Sequence, residues 1–188
     1  MRDLSLHILD IVQNSIKANA SVITIHMGEK AENKQLVLEI ADNGIGMDND
    51  FLTRVEDPFT TSRTTRKIGL GIPLLKESAL KCEGKFSIYS EQKIGTKVFA
   101  AFLINHIDRL PIGSIGDTMI TIISANPNIQ FILLLDSIKG EFKLDTEEIN
   151  KTLKGVNITE FAVLQWLKEY IDEGIQNIFG GVLNEVDG

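Results

Sequence analysis

The sequence predicts an α/β protein in which helices cover one face of a largely antiparallel sheet, with a smaller α/β module after it. Three observations carry this. A Gly- and Pro-free segment at residues 4–18 has apolar residues at helical spacing. Two pairs of β-branched, apolar segments are each joined by polar turn residues. A helical segment separates the two pairs, so the order is helix, hairpin, loop, helix, hairpin.

In the first helix Leu4, Ile8, Ile11, Val12 and Ile16 form one apolar face. Strands at 22–27 and 36–41 flank the polar stretch 29–35 and read as a hairpin. Residues 70–81 are helical after a glycine-rich start, and strands at 85–90 and 96–104 form a second hairpin through Lys93-Ile94-Gly95. Beyond it, residues 117–125 read as a helix, 129–136 as a strand and 142–144 as its partner. Asp145 followed by Glu148 has the spacing of a capping box. Phe161, Leu164, Leu167, Ile171 and Ile175 make one stripe on a final helix, flanked by Trp166 and Tyr170 as core or contact surface.

The net charge of −7 is spread unevenly over the 188 residues. Residues 1–106 hold equal numbers of basic and acidic side chains, whereas 107–188 hold six basic against thirteen acidic ones. The shift coincides with the turn-rich segment 106–116, so a boundary is expected near Ile107, dividing 1–106 from an acidic module at 107–188. The acidic balance argues against binding nucleic acid or an anionic membrane, which needs a basic patch. No apolar run reaches the ~20 residues of a membrane span, and the N-terminus lacks a signal-peptide pattern. The single cysteine, Cys82, forms no intramolecular disulfide and reads as a small buried hydrophobe, which fits a reducing cytoplasm. Three scattered histidines offer no metal triad.

Chemistry concentrates in three places. Asp10, Asn14 and Lys17 fall at i, i+4 and i+7 on one face of the first helix; on spacing alone, an exposed polar face is the better explanation. His7 stands one turn earlier on that stripe. The second strand ends in Asp42-Asn43-Gly44-Ile45-Gly46-Met47, an acceptor followed by alternate glycines that admit a flat ligand, or else a plain strand-to-helix turn. Residues 57–72 hold hydroxyls and cations, including Thr60, Thr61, Arg63, Arg66 and Lys67. They end in Gly69-Leu70-Gly71 at a helix start, where free amides and positive charge suit a polyphosphate. The GxxxxGK[ST] loop is absent.

In this order the segments resemble the Bergerat-fold, or GHKL, ATPases: DNA gyrase, the heat-shock chaperones, sensor histidine kinases and mismatch-repair ATPases. Residues 9–20 resemble the N box, 42–47 the first glycine box, Asp57-Pro58-Phe59 the F box, 69–72 the second glycine box and Gly95-Thr96-Lys97-Val98-Phe99 the closing GTxF segment. The resemblance spans roughly residues 4–104 and implies a two-layer Bergerat sandwich that binds ATP and Mg²⁺. By the same resemblance Asp42 accepts the adenine amino group and Gly44 and Gly46 make room for the ring. Met47, Phe59 and Thr96 belong to the same boxes. Asn14 holds Mg²⁺ between the phosphates, Lys17 contacts phosphate oxygens, and Arg63, Arg66 and Lys67 lie in a lid over the nucleotide. The amides around Gly69, Leu70 and Gly71 cap the phosphates.

Asp10 takes the position that is Glu in gyrase-type members and anti-sigma kinases. It retains a carboxylate able to act as catalytic base, with a reach shorter by one methylene. Lys67 and Ile68 stand where sensor kinases carry Gly-Thr. The resemblance is greatest to the catalytic half of histidine kinases and to anti-sigma kinases. Since no phosphoacceptor hairpin accompanies the motifs, it implies transfer to a protein partner. The competing implications are a nucleotide-gated binding module and a slow ATPase.

Overall fold

The computed structural model describes residues 2–48, 50, 52 and 70–183. Its elements are α1 (Leu4–Lys17), β1 (Val22–Lys30), β2 (Gln35–Asp42), α2 (Gly71–Lys81), β3 (Lys85–Glu91), β4 (Gly95–Leu103), α3 (Ile115–Ala125), β5 (Gln130–Ser137), β6 (Gly140–Asp145), α4 (Thr146–Thr152) and α5 (Phe161–Phe179). The strands form one six-stranded sheet in the order β3-β4-β2-β1-β5-β6. Every pairing is antiparallel except β1 with β5. The expected α/β architecture is therefore observed, with a mixed, mostly antiparallel sheet and one helical layer.

The period-2 pattern decides which sheet face is covered. Ile23, Ile25 and Met27 of β1, Leu36, Leu38 and Ile40 of β2, Val98, Ala100 and Phe102 of β4, and Phe131, Leu133 and Leu135 of β5 are all buried. They meet Leu4, Ile8, Ile11 and Val12 of α1, Ile72, Leu75 and Ala79 of α2, and Leu167, Ile171 and Ile175 of α5 in a single cluster. Cys82 lies in that cluster, as its sequence context implied, and burial pushes its thiol above the ordinary value. Such a thiol is a poor nucleophile.

Residues past the expected boundary at Ile107 continue this sheet and core. β5 pairs with β1 from Val22↔Gln130 to Gly28↔Asp136. The strap before α3 satisfies the open start of α1: the Leu4 amide donates to the Pro111 carbonyl at 2.9 Å and the Ser5 amide to Ile112 at 3.0 Å. Asp3 caps the same helix through its Oδ1, 3.0 Å from the Leu6 amide. Lys168 of α5 bridges Asp117 of α3 and Asp172 of its own helix, at 3.2 and 2.7 Å.

Four details differ from the sequence reading. β1 and β2 run from Val22 to Lys30 and from Gln35 to Asp42, longer than expected, because their antiparallel ladder continues through the polar residues. Asp145 caps α4 by accepting from the Glu147 amide at 3.0 Å, but Glu148 does not reach back; its carboxylate pairs with Lys143 at 2.7 Å instead. Phe161 leaves the expected apolar stripe and is 79% exposed, since α5 meets the sheet only further along. His7 is fully buried on the inner side of α1 and does not share the polar stripe. Among the described residues no helix is long and apolar enough to cross a membrane, and no cluster of three or more His, Cys, Asp or Glu side chains is placed to hold a metal.

Candidate functional site

The site forms where α1, the end of β2, the β3–β4 turn and the start of α2 converge. α1 needs its inner face for the core, so helical periodicity leaves Asp10 and Asn14 half-buried at its margin and Lys17 exposed. None of the three side chains makes a hydrogen bond or ion pair with the described residues.

The floor of the site is built around Asp42. Its Oδ2 accepts from the Ser15 hydroxyl at 2.6 Å, and its Oδ1 accepts from the Gly44 amide at 2.9 Å. The carboxylate is thereby held in one orientation, with lone pairs remaining for a ligand donor. Asn43 turns the other way: its Oδ1 accepts from the Ser21 and Val22 amides, both at 2.9 Å, tying the start of β1 to the end of β2. The Ile45 amide donates to the Ala18 carbonyl at 2.8 Å, which brings the glycine segment under the end of α1.

Close approach explains the glycines. A Cβ on Gly44 would lie 2.7 Å from the Ala18 carbonyl oxygen. Gly46 has φ +65°, and its Cβ would fall 1.9 Å from the Glu91 carbonyl oxygen, so only glycine carries the chain past the β3–β4 turn here. Met47 is fixed by its amide, which donates to the Ser90 hydroxyl at 2.8 Å; Ser90 also meets the Thr96 hydroxyl at 2.8 Å and the Gly95 carbonyl at 3.0 Å. Thr96 sits opposite Asp42 in the β2–β4 register.

Opposite this floor, α2 begins at Gly71 with no side-chain cap. The Gly71 and Ile72 amides open the helix before Pro73, which has none to offer, and amides at a helix start suit an anion. A Cβ on Gly71 would sit 2.9 Å from Asp10 Cβ and 3.1 Å from its Oδ2, so the glycine lets the helix start close on Asp10. Leu70 precedes it, 56% exposed.

His7 lies beneath this junction. Among the described residues nothing pairs with either of its ring nitrogens. Burial pushes its imidazole below the ordinary value, outweighing the pull of Asp10, the Gly71 backbone and Asp3. Burial thus favours the neutral imidazole.

The structure thus brings together Asp10, Asn14, Lys17, Asp42, Gly44, Gly46, Met47, Leu70, Gly71 and Thr96 around one region. The other expected contacts, Phe59, Thr60, Thr61, Arg63, Arg66, Lys67 and Gly69, lie outside the described residues. Two members escaped the sequence reading. Ser15 is a buried hydroxyl on the core side of α1, four residues after Ile11, and its polarity at an apolar position was the available signal. Ser90 likewise takes a core-side position in β3.

Comparison with known proteins assigns the class. Residues 2–105 match the family model of histidine kinase-, DNA gyrase B-, and HSP90-like ATPases, and the chain belongs to that family. It carries an ATP-binding, kinase-like ATPase domain of the histidine-kinase type. Curated relatives include a putative sensor protein of Shewanella frigidimarina, 30% identical over 54% of this chain and 16% of its own, and sporulation kinase D of Bacillus subtilis, 31% identical over 48% and 18%. The match thus spans under a fifth of either relative. Among solved structures, the Aquifex aeolicus MutL ATPase domain complexed with ADP aligns with TM-score 0.55 at 14% identity, over 82% of this chain and 70% of that one. The N-terminal domain of a DNA repair protein aligns with TM-score 0.50 at 20% identity, over 77% and 52%. Both show a shared fold.

Proposed function

We propose that the chain is a cytoplasmic, Mg²⁺-dependent ATP-binding protein that transfers the γ-phosphoryl group to a protein partner in signal transduction. The observation that carries this reading is the row of Asp10, Asn14 and Lys17 on α1, without partners among the described residues, running from the anchored Asp42 carboxylate to the start of α2. The Asp42 acceptor lies by the Ser15–Ala18 end of α1, where Lys17 stands, and the Asp10 carboxylate lies at the other end against the helix start at Gly71.

In this reading Asp42 takes the adenine amino group, with Gly44 and Gly46 leaving the ring space and Met47 and Thr96 bordering it. The half-buried Asn14 side-chain oxygen, without a partner among the described residues, would be a ligand for Mg²⁺, which would supply charge neutralisation for the phosphates. Lys17 and the Gly71 and Ile72 amides bind the outer phosphate oxygens, and Arg63, Arg66 and Lys67 add charge from the lid. Asp10 orients the attacking group of the partner and takes its proton while the bond from the γ-phosphorus to the ADP oxygen breaks. Closure of Gly71 against Asp10 couples the phosphate end to the base.

The test is incubation of the full chain with γ-labelled ATP and a cell lysate, comparing it with Asp10→Asn. Wild type should label a protein, and the variant should label it about 10²- to 10⁴-fold more slowly at nearly unchanged ATP affinity, the usual contribution of a general base. Acid-labile label indicates histidine and acid-stable label serine. Absence of any label, with tight ATP binding intact, would replace transfer with a nucleotide-gated switch.

A further inference from the structure

We infer that the Trp166–Tyr170 face of α5 is a docking site for a basic segment of a partner protein, receiving an arginine or lysine side chain over the stacked rings beside Glu169 and Glu173. The inference rests on the C-terminal half of the chain and is independent of the nucleotide site.

Trp166, Glu169, Tyr170 and Glu173 stand at i, i+3, i+4 and i+7, so they share one helix face. The two aromatic rings are stacked, with centroids 5.4 Å apart and planes 7° from parallel. They remain 49% and 39% exposed, the most exposed aromatic side chains of α5 after Phe161 at its start. The platform is rigid: Phe142 of β6 tilts onto Tyr170 at 5.0 Å and wedges into the helix at Gly174, whose Cβ would fall 2.6 Å from that ring. Order already present in the free protein lowers the cost of binding, and tryptophan and tyrosine are the residues that most often anchor interfaces.

Charge selects the occupant. The one lysine of α5, Lys168, is held by Asp117 and Asp172, and Lys143 of the neighbouring strand is held by Glu148 and Asp145. Glu173 meets no cation among the described residues, and Glu169 takes only the Gln165 amide at 3.3 Å. Two uncompensated carboxylates beside an electron-rich ring pair attract a guanidinium or ammonium group through both ion pairing and the ring quadrupole. The excess of thirteen acidic over six basic residues past residue 106 extends the same field, repelling anionic membranes and nucleic acid while steering a cationic protein segment.

Trp166 is the only tryptophan of the chain, so its fluorescence reads the site directly. Titrating the full chain with a synthetic arginine–serine repeat peptide at low salt should give a saturable change in that fluorescence. A glutamate–serine repeat peptide should give none. Tyr170→Ala and the double variant Glu169→Gln/Glu173→Gln should each weaken the arginine peptide about tenfold, and raised salt should weaken it further, as expected for an exposed charged site. All four side chains are exposed or on the surface, so helix content by circular dichroism and ATP affinity should stay unchanged. The inference is overturned by an absent or unsaturable response, or by binding that survives the three substitutions. Sedimentation showing self-association that Trp166→Ala abolishes would assign the face to a second copy of the chain instead.

Discussion

Asp42→Asn tests the adenine assignment with one atom exchange, and the structure sets its size. The Gly44 amide needs an acceptor 2.9 Å away, so the new amide places its oxygen there and its NH₂ toward Ser15. The reverse orientation would set two donors against each other. The Ser15 hydroxyl can then accept from Nδ2 and direct its own proton to the Ile11 carbonyl, already 3.4 Å distant. Folding therefore loses only the difference between a charge-assisted and a neutral hydrogen bond, about 1 kcal/mol. Binding loses more. The remaining Nδ2 proton points where the carboxylate accepted, so the adenine amino group meets a donor, a mismatch costing ~1–3 kcal/mol, or about 5- to 150-fold in Kd. Guanine presents a carbonyl at that position, so the variant should also narrow the preference for ATP over GTP. Calorimetric titration of both nucleotides into both proteins measures this. Unchanged ATP affinity in the variant, or equal affinities of the wild type for ATP and GTP, would refute the role given to Asp42.

Three further outcomes follow from other parts of the site and core. Asn14→Ala should weaken ATP binding far more in Mg²⁺ than in EDTA by calorimetry, because the amide is assigned to the metal; equal weakening in both would make it structural. His7→Leu should flatten the dependence of stability on pH. With the folded-state value depressed, the unfolded chain binds the extra proton, so wild-type stability should fall as pH drops below ~6.5, and urea midpoints at pH 8 and 5 should differ less in the variant. A chain ending at Asn105 loses the β5 partner of β1 and the carbonyls of Pro111 and Ile112 that meet the start of α1. It should precipitate or unfold at a lower urea concentration. A soluble fragment with full ATP affinity would show that the first 105 residues fold independently.

Much of the site was legible because its pieces are local. A 3.6-residue repeat is enough to set Asp10, Asn14 and Lys17 on one face, and a strand ending in Asp42 followed by alternate glycines describes its own turn. The spacing does not distinguish a solvated stripe from a working one; among the described residues those side chains have no partner, and Asp10 lies against Gly71. Ser15 was missed because its partner lies 27 residues away, and a hydroxyl inside a helix has no local signature for a cross-chain acceptor.

By itself the sequence determined the helices, the two hairpins, the order of the family's motif segments and the acid-rich second half, all of which depend on neighbours within a turn or a ladder. Only the tertiary structure decided that β5 would enter beside β1, across more than a hundred residues, and that one core would run through the expected boundary near Ile107. Charge composition changes at that boundary, but hydrophobic burial has no regard for it: β1 has an edge to satisfy and α1 an end to close. The same packing turned His7 inward and left Phe161 and Trp166 outside. Helical periodicity names a face, while the elements packed against it determine what that face meets.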